Sequence, residues 1–408
     1  MTTENGSLRA LDGVRVLDLS RQTPGGAATA LLADFGADVL KVEDTGAGDY
    51  LRWAPPRLPG DRAPSAAGAA FAALNRGKRS ARIDLKHPDG RAAFLALVPG
   101  ADVVVDSFRP GVLARLGIDH DALVAVNPRI VTASITAYGA DGPDAGRSAH
   151  DLNLIGRAGI LALTGHDADA DPVVPATMVA DYGVAAQATV AILIALLERE
   201  RSGLGQHVDA SMLDATVWQT ALAAAVTWNG GQRLRRGAVP LAGAIACYRP
   251  YRCADGWVTI AAVEAKFWTS FCHAVGRPEL VGEQFALAGS PAQEAVASVF
   301  AARTRDAWAA FATEHDCCVD VVLEPEEVAE DPQVLARGLV AEVGGARQVG
   351  APVHLSRTPA RVGSEAPVLG QHTAEALRAA GLTGDDVERL AGLGAIGLLQ
   401  PEATGTFL

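Results

Sequence analysis

Along the first third of the chain, short apolar runs alternate with segments of helical periodicity. From Val14 the sequence reads VRVLDL, then a turn with Pro24, Gly25 and Gly26, then an alanine-rich helical stretch from Ala27 to Phe35, then ADVLKVE. Apolar runs of strand length on either side of a helical segment predict a βαβ unit. The pattern recurs as a strand SARIDL at Ser80 to Leu85, a helix from Pro88 to Leu97, a strand at Asp102 to Val105 and another at Ile130 to Ile135. Strands alternating with helices predict an α/β fold with a mostly parallel sheet covered on both faces.

A second phase begins near Tyr182, where an apolar run through Leu196 ends in LERERSGLGQ, a buried helix with a charged last turn and glycine stops. Between Tyr248 and Ala329 the aromatic residues Trp257, Phe267, Trp268, Phe271, Trp308 and Phe311 mark a strand pair followed by helices, a separate small lobe within residues 221–335. Past Leu339 the text is turn-rich around Pro352, Pro359 and Pro367, with helices at Thr373 to Ala380 and Asp385 to Leu393.

Composition narrows the class. With 408 residues, 49% hydrophobic and 20% charged, the chain predicts a compact α/β protein of more than one lobe. A formal charge of −12 argues against a broad nucleic-acid or anionic-membrane surface, so any anion site is a local basic cluster. The five cysteines show no CxxC spacing, and neighbours Cys317 and Cys318 are poor partners for each other, which points to a reducing cytoplasm. Met1 to Gly6 lack a signal-peptide pattern, and the run Val184 to Leu197 is too short for a bilayer, so no membrane association is expected.

Several segments carry candidate chemistry. Leu74 to Ser80 places Arg76, Lys78 and Arg79 around Gly77 beside Asn75, immediately before a strand, which suits either a phosphate-binding loop or a solvated basic turn. Arg109, in SFRPG, follows the strand VVVD at the sheet edge where open α/β folds bind ligands, or is an ordinary surface arginine. The first βα turn has Gly25-Gly26 without GxGxxG, so a dinucleotide site is excluded. His150 beside Asp151 could move protons, unless Asp151 simply caps the next helix. Asp181 ends an apolar stretch and precedes a deeply apolar helix. There the helix dipole favours its ionised form and desolvation its neutral form, a balance found at working carboxylates. Glu264, in VTIAAVEAKFW, follows a strand and precedes an aromatic helix.

With these residues collected, the chain resembles the family III CoA-transferase (CaiB/BaiF) superfamily over almost its whole length. The phrases VRVLDLSRQTPG, LLADFGADVLKVE, LNRGKRSARIDLKHPDGR, SFRPGVLARLGI, NPRIVTASITAYG, ERERSGLGQHVDASMLDA and LGQHT carry the likeness, and AHDLN with VEAKFW is closest to the alpha-methylacyl-CoA racemase branch. The resemblance implies an interlocked homodimer. A Rossmann-like large domain, residues 1–220 with 336–408 returning to it, is joined to a small α+β domain at 221–335 by linkers passing around the partner.

The resemblance also implies an acyl-CoA substrate, with coenzyme A arriving as part of it and no tightly bound cofactor or metal. Lys41, Asn75, Arg76, Lys78, Arg79, Arg109 and the turn Ala137-Tyr138-Gly139 would line the coenzyme A groove. Asp181 would be the catalytic carboxylate, either a nucleophile passing through a covalent CoA thioester in a transferase or one of two acid/base groups in a racemase. In a racemase His150 would be the second group, Glu264 would support it, and the Asp151 backbone N–H would help hold the oxyanion. Leu154 stands where racemases usually carry a tyrosine, and Val184-Ala185-Ala186 where a glycine run is expected. A CoA-thioester binding protein without turnover is a third possibility. Few cations outside the loop favour an apolar or neutral acyl group, Arg233, Arg235 and Arg236 being the exceptions.

Overall fold

A computed structural model describes residues 8–60, 62–231 and 233–399. Apolar runs of strand length build three sheets. The strands are β1 (Arg15–Asp18), β2 (Asp38–Glu43), β3 (Arg79–Ile83), β4 (Val103–Asp106), β5 (Val131–Thr136), β6 (His207–Ser211), β7 (Tyr248–Arg252), β8 (Trp257–Ala261), β9 (Val319–Val321), β10 (Val340–Val343), β11 (Ala346–Val349) and β12 (Ile396–Gly397). The large sheet runs β12-β3-β2-β1-β4-β5-β6. Its pairings are parallel except where β12 meets β3. This is the mixed α/β, parallel-dominated architecture that the alternating pattern predicts. The order reverses between β1 and β4, which opens a crevice at the carboxyl ends of those strands.

By internal contacts the chain divides into two compact units. One holds residues up to Leu154, Met178–Gln219 and the chain from Gln333 on; the other holds Ile155–Thr177 and Thr220–Pro332. The second unit therefore includes residues 155–177, which the sequence reading assigned to the large domain. Arg236 gives the physical reason: its guanidinium donates to the carbonyls of Asp167 (2.8 Å) and Ala170 (2.6 Å), tying the two stretches together. The second unit packs β7, β8 and β9 against an aromatic core of Trp268, Phe271, Phe300 and Trp308, whose indole N–H groups are both bonded to carbonyls.

Three helices matter most for the site. The helix α1 (Gln22–Asp34) starts five residues before the expected stretch, so Pro24, Gly25 and Gly26 form its first turn rather than a loop. Proline is at home there, and a Cβ on Gly25 would stand 2.1 Å from that of Ser20, so only glycine fits. The short helix α2 (Asp151–Arg157) leads to α3 (Val179–Ser202), 24 residues that are long and apolar enough to cross a bilayer by length alone. In this fold Ala180, Ala185, Ala188 and Ile192 are buried, and α3 lies against α1, β5 and β6. The expected glycine-run position, 184–186, is thus helix interior, and Leu154 is fully buried.

Candidate active site

Beneath the turn that leaves β1 lies a girdle of buried charges. Asp18 accepts from Ser20, Thr29 (2.7 Å) and Lys78 (3.1 Å); Lys41 pairs with Asp49 (3.1 Å) and donates to the Ser20 carbonyl (2.7 Å); Arg52 pairs with Glu43 (2.6 Å). All six side chains are essentially removed from solvent. Burial alone would push Asp18 and Glu43 upward, yet Lys41 and Lys78 hold Asp18, and Arg52 holds Glu43, well below the usual carboxylate range. Burial lowers the Lys78 ammonium to about 8, with Lys41's like charge adding to it. Burial opposes the charged form of Lys41 as well, but Asp18, Asp49 and Glu43 outweigh it and raise its pKa.

These contacts give the basic loop a placement other than a phosphate-facing one. Asn75 is enclosed, donating to the Phe71 carbonyl (3.1 Å) and accepting from Lys78 (2.9 Å), while Arg76 is spent on Asp34 (2.7 Å). Lys41, Asn75, Arg76 and Lys78 are therefore internal struts. Of the group only Arg79 reaches the surface, where it pairs with Asp38 (2.7 Å).

A cavity of about 510 Å³ opens at the carboxyl ends of β1, β4 and β5, at the point where strand order reverses. Its wall takes Arg21 from the cap of α1, Gln22 and Pro24 from the first turn of α1, Ser107 to Pro110 from the turn after β4, and Thr136 with Ala137 from the end of β5. Arg147, Ser148, His150 and Asp181 complete it. The turns are held by side chains of the strands themselves. Asp106, at the end of β4, accepts from the Phe108 N–H (2.9 Å) and the Ser134 hydroxyl (2.5 Å), and burial pushes its carboxyl to about 6. Gly139, at φ +87°, donates to the Thr136 hydroxyl (3.0 Å) and folds the Ala137-Tyr138-Gly139 turn back on β5. Arg109 is exposed and donates to the Ser148 hydroxyl.

Asp181 is the third residue of α3, one turn further in than an N-cap. Met178, at the cap position, cannot satisfy the helix's free N–H groups. Asp151 does so from a different segment, its carboxylate accepting from Ala180 (2.6 Å) and Asp181 (3.2 Å). The expectation that Asp151 caps its own helix is corrected: it caps the helix that carries Asp181. This ties the segment beginning at Asp151 to the head of that helix, while the His150 backbone N–H donates to the Asn153 side chain (3.1 Å). Burial pushes the Asp181 carboxyl up to about 6; the Asp151 charge adds to the rise and His150 opposes it. His150 is exposed on the cavity.

Glu264 lies in the second unit as the residue preceding the helix α4 (Ala265–Ala274), exposed and without a side-chain cap bond. Sequence reasoning overlooked Arg21, Gln22, Tyr50 and Arg147. Arg21 pairs with Asp44 (2.6 Å) and Arg147 with Asp144 (2.8 Å). The scarcity of cations inferred from sequence is therefore corrected, since Arg21, Arg109 and Arg147 all line the cavity. The one available signal for Arg21 and Gln22 was their position directly after the first strand.

Fold and cavity together place a carboxylate of raised pKa, Asp181, and a histidine, His150, at the strand-order switch point of an α/β protein. Residues 11–373 match CoA-transferase family III, and the chain belongs to that family. It is 34% identical to the succinate–glutarate CoA-transferase of Agrobacterium fabrum, over 90% of this chain and 94% of that protein. It is 29% identical to the alpha-methylacyl-CoA racemase of Homo sapiens, over 93% of this chain and 96% of that one. Among solved structures, a CAIB/BAIF family protein from Brucella suis matches with a TM-score of 0.79 and 32% identity, over 91% of this chain and 99% of that chain.

Proposed function

We propose that the protein is a racemase or epimerase of 2-methyl-branched acyl-CoA thioesters, working by two-base proton exchange at the carbon next to the thioester. The observation carrying this reading is that His150 and Asp181 line one cavity, with Asp151 bonded to the helix of Asp181 and adjacent in sequence to His150. One of the pair removes the α-proton, the electrons move onto the thioester oxygen as an enolate, and the other returns a proton to the opposite face. A carboxyl near 6 carries both protonation states close to neutrality, which suits roles that reverse with substrate handedness. Arg109 and the Ala137-Tyr138-Gly139 turn hold the coenzyme A portion and Glu264 supports His150, whereas Arg79, at the amino-terminal edge of the sheet with Asp38, lies away from this cavity. The setting we propose for the protein is a reducing cytoplasm, a reading that rests on five cysteines without disulfide spacing in the sequence.

The assembly we propose is a homodimer. Val190, Ile194 and Leu197, one stripe of α3, are each more than half exposed, and Trp218 beside them is 72% exposed. An apolar face of this kind is what a second copy of the chain would cover.

A second reading, CoA transfer between carboxylic acids with Asp181 as the nucleophile, draws on the relatives named as CoA-transferases. The deciding experiment is incubation with 2-methylacyl-CoA in deuterium oxide without an acceptor acid. Wash-out of the α-hydrogen with both epimers formed, lost in His150→Ala and in Asp181→Ala, is the expected result. No exchange, but CoA transfer once carboxylic acids are added, with His150→Ala largely active, would replace the racemase by the transferase.

A further inference from the structure

Gln22 is one of two non-glycine residues with positive φ among the described residues, at +62°. An L-residue in this conformation costs about 1–2 kcal/mol, a cost that glycine would avoid. Its backbone is over-determined from below: the Gln22 N–H points at the Asp49 carboxylate (3.2 and 3.4 Å), and Asp49 is itself fixed by Lys41 (3.1 Å) and by the first turn it caps at Leu51 (3.0 Å). Lys41 also grips the Ser20 carbonyl two residues earlier (2.7 Å). The buried girdle thus clamps the turn in a conformation glutamine does not favour. The side chain, by contrast, is exposed on the wall it shares with His150 and Asp181, and its carboxamide makes no hydrogen bond to the described protein. Backbone strain held by a buried network beside reacting groups is found where a side chain must be presented to a ligand.

We infer that Gln22 is a specificity residue whose carboxamide hydrogen-bonds an oxygen on the acyl chain, so that the enzyme selects acyl groups bearing a hydroxyl, keto or carboxyl oxygen over their hydrocarbon counterparts. A carboxamide offers both an acceptor and two donors, so it can serve any of these oxygens, and a hydrocarbon chain leaves it unsatisfied. The acyl portion is the part concerned because Gln22 stands with the two groups that act on the carbon next to the thioester. The inference rests on the acyl-CoA reading of that cavity.

The test is calorimetric titration of the full-length protein with 2-methylbutanoyl-CoA, 3-hydroxy-2-methylbutanoyl-CoA and 2-methylsuccinyl-CoA, comparing wild type with Gln22→Met and Gln22→Gly. Methionine keeps the side-chain length and the backbone strain but removes the hydrogen bonds; glycine removes both. Wild type should bind at least one oxygenated thioester about tenfold more tightly than the hydrocarbon analogue, a difference of the size one hydrogen bond provides, and both variants should lose it. The hydroxyl and carboxyl arms distinguish which oxygen is read. The melting temperature of Gln22→Gly should not fall, since the side chain has no packing role. Equal wild-type affinity for all three thioesters, or a preference that survives in both variants, overturns the inference. Loss of binding to all three by wild type overturns the acyl-CoA reading itself and the inference with it.

Discussion

Asp181 concentrates the chemistry of the site in one titration. Its carboxyl is raised from an ordinary 3.8 to about 6, first by burial and then by Asp151. A group that binds its proton more tightly when folded contributes stability that is fully present below about 3.8 and lost as pH rises through about 6. Asp181→Asn should therefore unfold at a higher temperature than wild type at pH 7.5, by on the order of 1–2 kcal/mol once cavity water is allowed for, and the gain should vanish near pH 3.5. Activity should run the other way: the variant is inactive, and wild-type kcat/KM acquires an acid limb at about 6. A melting series across pH in which the two proteins remain parallel would remove the raised carboxyl from the account. His150 and Asp181 could be singled out in sequence from two separate segments, AHDLN and MVADYG, and both line the one cavity. Gln22 could not, because its conformation is imposed by Asp49 from another element, and no local pattern records that.

At the scale of elements, the basic loop before β3 illustrates how one composition serves two purposes. Three cations around a glycine read by composition first as a solvated basic turn and only through the family resemblance as a phosphate loop, and sequence offers no sign that Asp18, Asp34 and Asp49 wait inside the same unit. The girdle binds β1, β2 and β3 to the start of α1 through side chains rather than through the ladder. Removing one member of a buried pair leaves its partner charged and uncompensated, which typically costs about 3–5 kcal/mol. Lys78→Ala should lower stability by that order in denaturant titration while the residual folded protein still binds acyl-CoA. Unchanged stability with lost CoA affinity would return Lys78 to the groove. Acid behaviour follows from Asp18, whose carboxyl is held down to about 2 by Lys41 and Lys78 against its burial. Its contribution is complete above 3.8 and disappears as pH falls towards 2, so this girdle weakens in acid even as Asp181 gains its proton.

For the whole molecule, alternation of strand and helix was enough to read a parallel α/β sheet, because each βαβ unit is written locally. The closing pieces were harder to see: β12 has two residues and finds β3 only through the tertiary fold, while Leu377, Val387 and Leu390 from the final helices enter the same core as Leu17 and Val104. The exposed stripe on α3 was hidden for the opposite reason, since a continuous apolar run reads as fully buried whichever surface covers it. If the proposed homodimer is interlocked, as the family resemblance implies, its subunits cannot separate without unfolding. Light scattering should then give twice the chain mass down to the lowest measurable concentration, and the melting temperature should rise with protein concentration because association and folding are one equilibrium. Ile194→Asp, placed in the stripe, should lower that melting temperature without producing a folded monomer. A folded monomer on dilution would rule out interlocking while leaving a dimer, and a monomer at every concentration would leave Val190, Ile194, Leu197 and Trp218 without their second copy.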